Sequence, residues 1–493
     1  MPPRPLVRVA FLFAVFLIAS RAHAGVIEFR TLREETNEPI KTRVVLQDKE
    51  GRYIRPVVYE SVVGAHSHHF YSRGVIRHYM TPGREYSIAV DRGIHWIPRE
   101  NTFVLEATAA SVTTLLRPFA DLRVKDWLSG DLDLDVPFHN ADLVLGSADL
   151  YVGCRVYDAT GQVKVPESER GIHKIPHEPV AISGNDWRFQ NFNVLHPLPT
   201  MTLDETPFRA TELPHLKRAK DLAGWVDVTN PENVDAVVAA GLGWVDSVRG
   251  IGPHRDRREA WPEERALTRF EAYYRLLDCG FEIPISAGSM AGELTLEPTD
   301  RVGSSRVYVR HPQSFSYGGF FKALKRGNAW ATNGPVLIMG VNGKDTGRRI
   351  KVGLGGKIRI SVGARSPRPL SRIEVLYNGV VAATVPISAT ADLSFKDFDL
   401  PAERGGWLAA RCFEASPSED GRALFAHTCP TYIQVGPSLQ VNRSRAGEMA
   451  ALIRIREAEI EQDPSLPEAE KAWVREWFPQ ARARYETLAT TGH

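Results

Sequence analysis

Between residues 121 and 335 short apolar runs alternate with stretches of helical spacing, and this alternation restricts the fold more than any other feature of the chain. "LAGWVDVTN" precedes "PENVDAVVAAGLG", in which Val234, Val237, Val238 and Leu242 recur every three to four residues. "WVDSVRG" returns to strand character. "RALTRFEAYYRLLDCG" is an amphipathic helix stopped by Gly280, and "FEIPISAGSM" is the next strand and turn. Strands separated by helices pair in parallel, so this region is expected to be an α/β domain, as in a barrel. In such a domain polar residues at the C-terminal ends of strands form the site.

The flanks differ. Residues 25–120 ("TRVVLQD", "REYSIAVDRG", "NTFVLEA") and residues 336–437 ("KIRISVGARS", "RIEVLYNGVVAATVP", "WLAARCFEA") read as β-sandwich domains. Residues 438–493 turn helical and charged around "PSLP", the pattern of a helical hairpin. A chain of 493 residues is too long for one ordinary core, which agrees with several domains.

The first 24 residues contain Arg4 and Arg8, an apolar run from Val9 to Ala19, and the small-x-small sequence Ala22-His23-Ala24. This is the layout of a signal peptide, so export to the periplasm or the exterior is expected, with a mature start near Gly25. No later segment has the character of a membrane span. The net charge of +2 gives no electrostatic case for nucleic-acid binding. The four cysteines, Cys154, Cys279, Cys412 and Cys429, form no CxxC pair. Cys412 and Cys429 lie in adjoining β-like runs, where a cross-strand disulfide and two separate buried thiols are both open.

"SGDLDLD" puts Asp131, Asp133 and Asp135 on alternate positions. On a strand all three carboxylates share one face. Burying such a face without a cation or a basic partner is costly. A divalent metal (Mg, Mn, Ca or Zn) would relieve the repulsion, and so would internal pairing with Arg155, Arg188 or Arg249. In "GNDWRFQN" Asp186 and Arg188 stand among aromatic residues, as in a pocket wall or a buried ion pair. Asp227 and Asp246 each follow a "WV" run, where a strand end would present them to a ligand. Ser289, in "AGS", suits a tight turn that caps a helix or touches an anion; no GxSxG surrounds it. Trp127, Trp187, Trp225 and Trp244 are available for the core or for stacking on a sugar or aryl ligand. His66, His68 and His69, in "GAHSHHF", read as a solvated loop.

The series "WLSGDLDLD", "SADLYVG", "GNDWRFQNFNVL", "GLGWVDSVRGIGPH", "YYRLLDCGFEIPISAGS", "SRVYVR" and "WATNGPVL" resembles, in order and spacing, the carbaryl-hydrolase-like (CehA/McbA-type) family of the PHP metallohydrolase superfamily. The resemblance covers about residues 25–435. It implies a PHP-like distorted α/β barrel flanked by β-sandwich domains. It also implies a divalent-metal-dependent hydrolase of an ester, amide or phosphoester bond. The family carries "GDLHVH" where this chain has Gly130 to Asp135, so both motif histidines are aspartates here. Ala148 replaces an acidic residue beside the retained Asp149, Asn185 precedes Asp186, and "SAGSM" has no carboxylate. His254 stands where the family tends to have histidine, with His139 and His196 as further histidines of this region. The implied metal set is therefore Asp131, Asp133, Asp135 and His254, thinned relative to the family. The alternative is a non-catalytic protein on the same scaffold that binds a small molecule or glycan or serves in a surface assembly.

Overall fold

The computed structural model describes residues 25–492 apart from 56–61, 64–67, 107–109, 160–165, 176–179, 197–207, 254–261, 293–300, 312–314, 388–394 and 437–440. The first 24 residues, read above as a signal peptide, and His66 and His254 thus lie outside the described residues. The chain forms two compact units. One holds the described residues up to Arg92 together with Trp96–Arg117, and the other holds Gly93–His95 and the chain from Pro118 onward.

The first unit is all β. Its strands are β1 (Gly25–Arg33), β2 (Thr42–Asp48), β3 (Val62–Val63), β4 (Phe70–Ser72), β5 (Val75–Met80), β6 (Glu85–Asp91), β7 (Arg99–Val104) and β8 (Ala110–Leu116). They form a three-stranded sheet, β5-β1-β8, and a five-stranded sheet, β3-β4-β2-β6-β7. Alternation builds the core: Tyr86, Ile88 and Val90 of β6 and Ile76 and Met80 of β5 are buried, while Arg77 and Tyr79 face out. Each such side chain contributes about 1.5–3 kcal/mol on burial. His68 is exposed and packs tilted against Tyr53 with ring centroids 4.2 Å apart, whereas His69 is buried.

The second unit is mixed α/β. It opens with β9 (Trp127–Asp135), α1 (Phe138–Ser147), β10 (Val152–Asp158), β11 (Gly171–Lys174), β12 (Ala181–Arg188), β13 (Phe192–Leu195), α2 (Leu213–Asp221) and β14 (Trp225–Val228). Then follow α3 (Val234–Gly241), β15 (Ser247–Ile251), α4 (Glu263–Asp278), β16 (Ile285–Ala287), β17 (Ala291–Gly292), β18 (Arg306–Arg310), α5 (Tyr317–Lys325) and β19 (Ala329–Thr332). Parallel pairing occurs where the sequence alternation requires it: β9 with β10, β10 with β12, β14 with β15, and β15 with β16. β13 breaks the pattern by pairing antiparallel to β12 and β14, and β18 runs antiparallel to β9. α4 buries Ala266, Phe270, Tyr273, Tyr274 and Leu277 on one face. Gly280, at φ +83°, terminates it, a left-handed conformation that suits glycine.

Ten further strands follow: β20 (Val336–Val341), β21 (Lys344–Asp345), β22 (Arg349–Val352), β23 (Lys357–Arg365), β24 (Leu370–Tyr377), β25 (Val380–Val385), β26 (Lys396–Pro401), β27 (Gly406–Glu414), β28 (Phe425–Thr428) and β29 (Thr431–Val435). β21-β20-β23-β26 is one sheet. β25-β24-β27-β28 continues into the α/β region through antiparallel pairing of β28 with β19.

The chain ends in a pair of helices, α6 (Arg443–Gln462) and α7 (Glu468–Thr491). Asn442 caps α6, its side chain accepting from the Arg445 N–H. α7 returns to the α/β region. The Tyr485 hydroxyl donates to the Val237 carbonyl at 2.8 Å, and Glu470 Oε2 accepts from the Arg209 and Ala210 N–H groups at 2.8 and 2.7 Å. Gly241 makes this approach possible, because a Cβ there would lie 2.9 Å from Tyr485 Cε2.

All four cysteines are free thiols and buried, so no Cys412–Cys429 disulfide exists. The residue paired with Cys412 across the sheet is Ala426, which leaves Cys429 out of register for a bridge. Alkylation of the denatured protein without reductant is therefore expected to add four adducts by intact mass; a product carrying two would mean a bridge.

Candidate functional site

β9 is buried along its length except for its last residue, because β10 and β18 flank it. The three aspartates therefore have different environments. Asp131 and Asp133 are fully buried and Asp135 is exposed. The expected set of three carboxylates gathered at one site is not formed, since Asp135, the last residue of β9 and paired with Gly292 of β17, is exposed.

Asp131 is held by uncharged donors. Its Oδ1 accepts from the Ser289 N–H at 2.9 Å and the Asp133 N–H at 3.2 Å. Its Oδ2 accepts from the Ser289 hydroxyl at 2.5 Å and the Gly303 N–H at 2.8 Å. Burial pushes its pKa up to about 6 against the pull of these bonds. The "AGS" turn thus neither caps a helix nor exposes a nucleophile. It folds over β9 to close Asp131, and Gly288 is needed there because a Cβ would come within 2.7 Å of Asp133 Cβ.

Asp133 is held by cations. Arg188 reaches its Oδ1 through Nη2, and Arg249 Nη1 donates to its Oδ2 at 2.6 Å. Asn193 Nδ2 donates to the same Oδ2 at 3.0 Å. Burial works against ionisation, but Arg188 and Arg249 outweigh it and hold the pKa down to about 2. Arg249 is buried and also donates from Nη2 to Asp227 Oδ2 at 3.3 Å. Asp227 accepts in addition from the Ser247 hydroxyl at 2.5 Å and from the Ser286 hydroxyl. β9, β12, β13, β14, β15 and β16 therefore meet in one polar network centred on Asp133 and Arg249.

Asp186 is buried beside this network. It accepts from the His196 N–H at 2.5 Å and from the Ser183 hydroxyl. With no cation in contact, burial pushes its pKa up to about 8.

Other expected residues lie elsewhere. Asp149, in a left-handed conformation at φ +57°, pairs with Arg123 at 2.8 Å. Asp246 precedes β15 instead of following a strand, since Trp244 and Val245 belong to the turn leaving α3. It is shared by Lys220 and Lys325 at 2.6 and 2.7 Å. Arg155 pairs with Glu169. His139 is exposed on α1, and His196 is half-buried, with desolvation lowering its pKa to about 4. Trp127, Trp187 and Trp225 are buried in the core, and Trp244 is half-buried against it.

Asn193, Ser247, Ser286, Ser183 and Gly303 were not legible as partners. The available signal was a polar residue inside a short apolar strand, as in "FNVL" and "IPIS".

Among the described residues a metal does not fit this arrangement. A carboxylate offers about four acceptor positions, and those of Asp131 are filled by four donors, while Asp133 is taken by two guanidinium groups and an amide. Among the described residues no three His, Cys, Asp or Glu side chains converge to hold an ion. Comparison of the chain with protein-family models, with curated proteins and with solved structures finds no match.

Removing Arg249 leaves Asp133 and Asp227 buried with less positive charge. Arg249→Met is expected to cost about 3–5 kcal/mol in urea unfolding. Adding Asp133→Asn is expected to recover part of that loss; strictly additive losses would contradict the coupling.

Stability should also depend on pH. Asp131 and Asp186 have raised pKa values, so their contribution is present below about pH 4 and lost as pH rises through about 6 and 8. His95, His196 and His427 have lowered values, about 3, 4 and 3, so their contribution is present above about pH 6.5 and lost as pH falls. The melting temperature is therefore expected to peak near pH 6 and to decline to pH 8.5. Asp186→Asn should flatten that alkaline decline, and calorimetry across this range checks it.

Proposed function

We propose that this chain is an exported protein built on a PHP-like α/β barrel of the carbaryl-hydrolase-like type, with arginine–aspartate pairing in place of the family's divalent metal. On this reading the scaffold serves in a surface assembly and does not hydrolyse. The observation that carries it is the double engagement of Asp133 by Arg188 and Arg249. A guanidinium supplies the positive charge that the buried acids require. Unlike a metal ion, it has no open coordination position at which to acidify a water.

Two further features support the reading. The first 24 residues have the layout of a signal peptide, which fits export. The burial of Trp127, Trp187 and Trp225 keeps them from stacking on a glycan.

The test is metal content together with activity. The mature protein, exposed to Zn, Mn, Mg and Ca and then desalted, is expected to carry substoichiometric metal by elemental mass spectrometry. It is also expected to leave ester and phosphoester substrates intact. Stoichiometric metal that disappears in Asp131→Ala/Asp133→Ala, together with hydrolysis, would establish a metallohydrolase instead.

A further inference from the structure

Three connections lie side by side at one end of the C-terminal β region. The turn 353–356 joins β22 to β23, Asn378 and Gly379 join β24 to β25, and residues 402–405 join β26 to β27. Hydrogen bonds tie them together. The Ala402 N–H donates to the Gly356 carbonyl at 2.8 Å, and the Ala402 carbonyl accepts from the Gly355 N–H at 3.0 Å. Asn378 Nδ2 donates to the Gly405 carbonyl at 3.2 Å, and the Tyr377 hydroxyl donates to the Arg404 carbonyl. The tips of this end are apolar. Leu354 is 80% exposed, more than any other large apolar side chain among the described residues, and Val380 and Val381 are 64% and 42% exposed. A Cβ added at Gly353 or Gly355 would meet nothing within 4 Å, so Leu354 projects into open space. Gly355, at φ +71°, makes the turn, and nothing in the fold requires a leucine beside it. At β25 the register with β24 slips at Ala382, a bulge that blunts the edge, so a strand partner does not account for the exposed valines.

Cations surround these tips. Lys351 and Lys357 are exposed, one three residues before Leu354 and the other three residues after it. Arg404 is exposed on the neighbouring connection, and Arg348 and Arg349 lie where β22 begins. The acids at this end are Glu403, which is exposed, Asp399, which pairs with Lys357 at 3.3 Å, and Glu282, which pairs with Arg349 at 2.5 Å. Five cations thus stand against three acids, and the run from Arg348 to Lys357 contains no carboxylate.

We propose that this end of the β region docks on an anionic lipid bilayer, with Leu354, Val380 and Val381 entering the boundary between headgroups and acyl chains and Lys351 and Lys357 held at the phosphates. Separate aliphatic tips suit a bilayer because it accepts them without a shaped pocket. The excess of cations selects a bilayer that carries negative charge. The docking is independent of the barrel's chemistry, since none of these residues belongs to the network of Asp133 and Arg249.

Flotation with vesicles tests this. The mature protein is mixed, at about 0.1 M salt, with vesicles of phosphatidylcholine alone or of phosphatidylcholine and phosphatidylglycerol, and floated through a density gradient. It is expected to rise with the anionic vesicles and to stay behind with the neutral ones. Lys351→Gln and Lys357→Gln should each weaken the partitioning about fivefold, and Leu354→Ser about tenfold. Val104→Ser, at a valine 58% exposed in the first unit, should leave it unchanged. These side chains are exposed, so the variants keep the fold. In Leu354→Trp the emission should shift to the blue on anionic vesicles and be quenched by brominated acyl chains, which contact with a protein would not produce. Absence of flotation with anionic vesicles, equal flotation with neutral ones, undiminished flotation of Leu354→Ser, or unquenched emission in Leu354→Trp overturns the proposal.

Discussion

The ion pairs of Asp133 with Arg188 and Arg249 are the interaction on which the α/β region depends. Asp133 is fully buried on a strand covered on both sides, so its charge is tolerable only with cations in contact. Arg249 brings the charge from β15, and its second contact with Asp227 draws in β14. Arg188 brings it from β12. Strands far apart in sequence are thereby fixed in register by electrostatics as well as by their backbone ladders. Such a network is neutral to stability when complete and costly when one member is missing. It therefore specifies one arrangement of the strands more than it deepens the native well.

The same core handles its carboxylates in three ways. Asp133 is ionised by paired arginines, Asp131 is surrounded by neutral donors, and Asp186 is left with two bonds and burial. These environments spread the three groups over about six pH units. Neighbouring acids of one chemical type thus hold different charges at one pH.

Much of the architecture was legible. The alternation of strand and helix between residues 121 and 335 corresponds to the parallel pairs β9–β10 and β14–β15–β16, and the charged helical tail is the α6–α7 pair. Period and capping carry such information locally. The polar interior was legible only in part. Arginine partners for the acids were foreseeable as residue types, but the choice of Arg188 and Arg249 over Arg155 depends on which strands become neighbours. Asp135 and Asp246 show the limit: a single position decides whether a residue ends a strand, precedes it or lies within it. The antiparallel course of β13 left no mark in its four-residue sequence, since "FNVL" fits either direction.

The return of α7 onto α3 has a temporal consequence. Tyr485 and Glu470 reach back roughly half the chain, to Val237 and to Arg209 and Ala210. These contacts join residues 248, 261 and 260 positions apart, so they form only after residues 470 to 485 have left the ribosome. Until then the face of α3 that receives Tyr485 is without its cover, and the α/β region remains incomplete. The α/β region is thus completed late, once α7 has reached it.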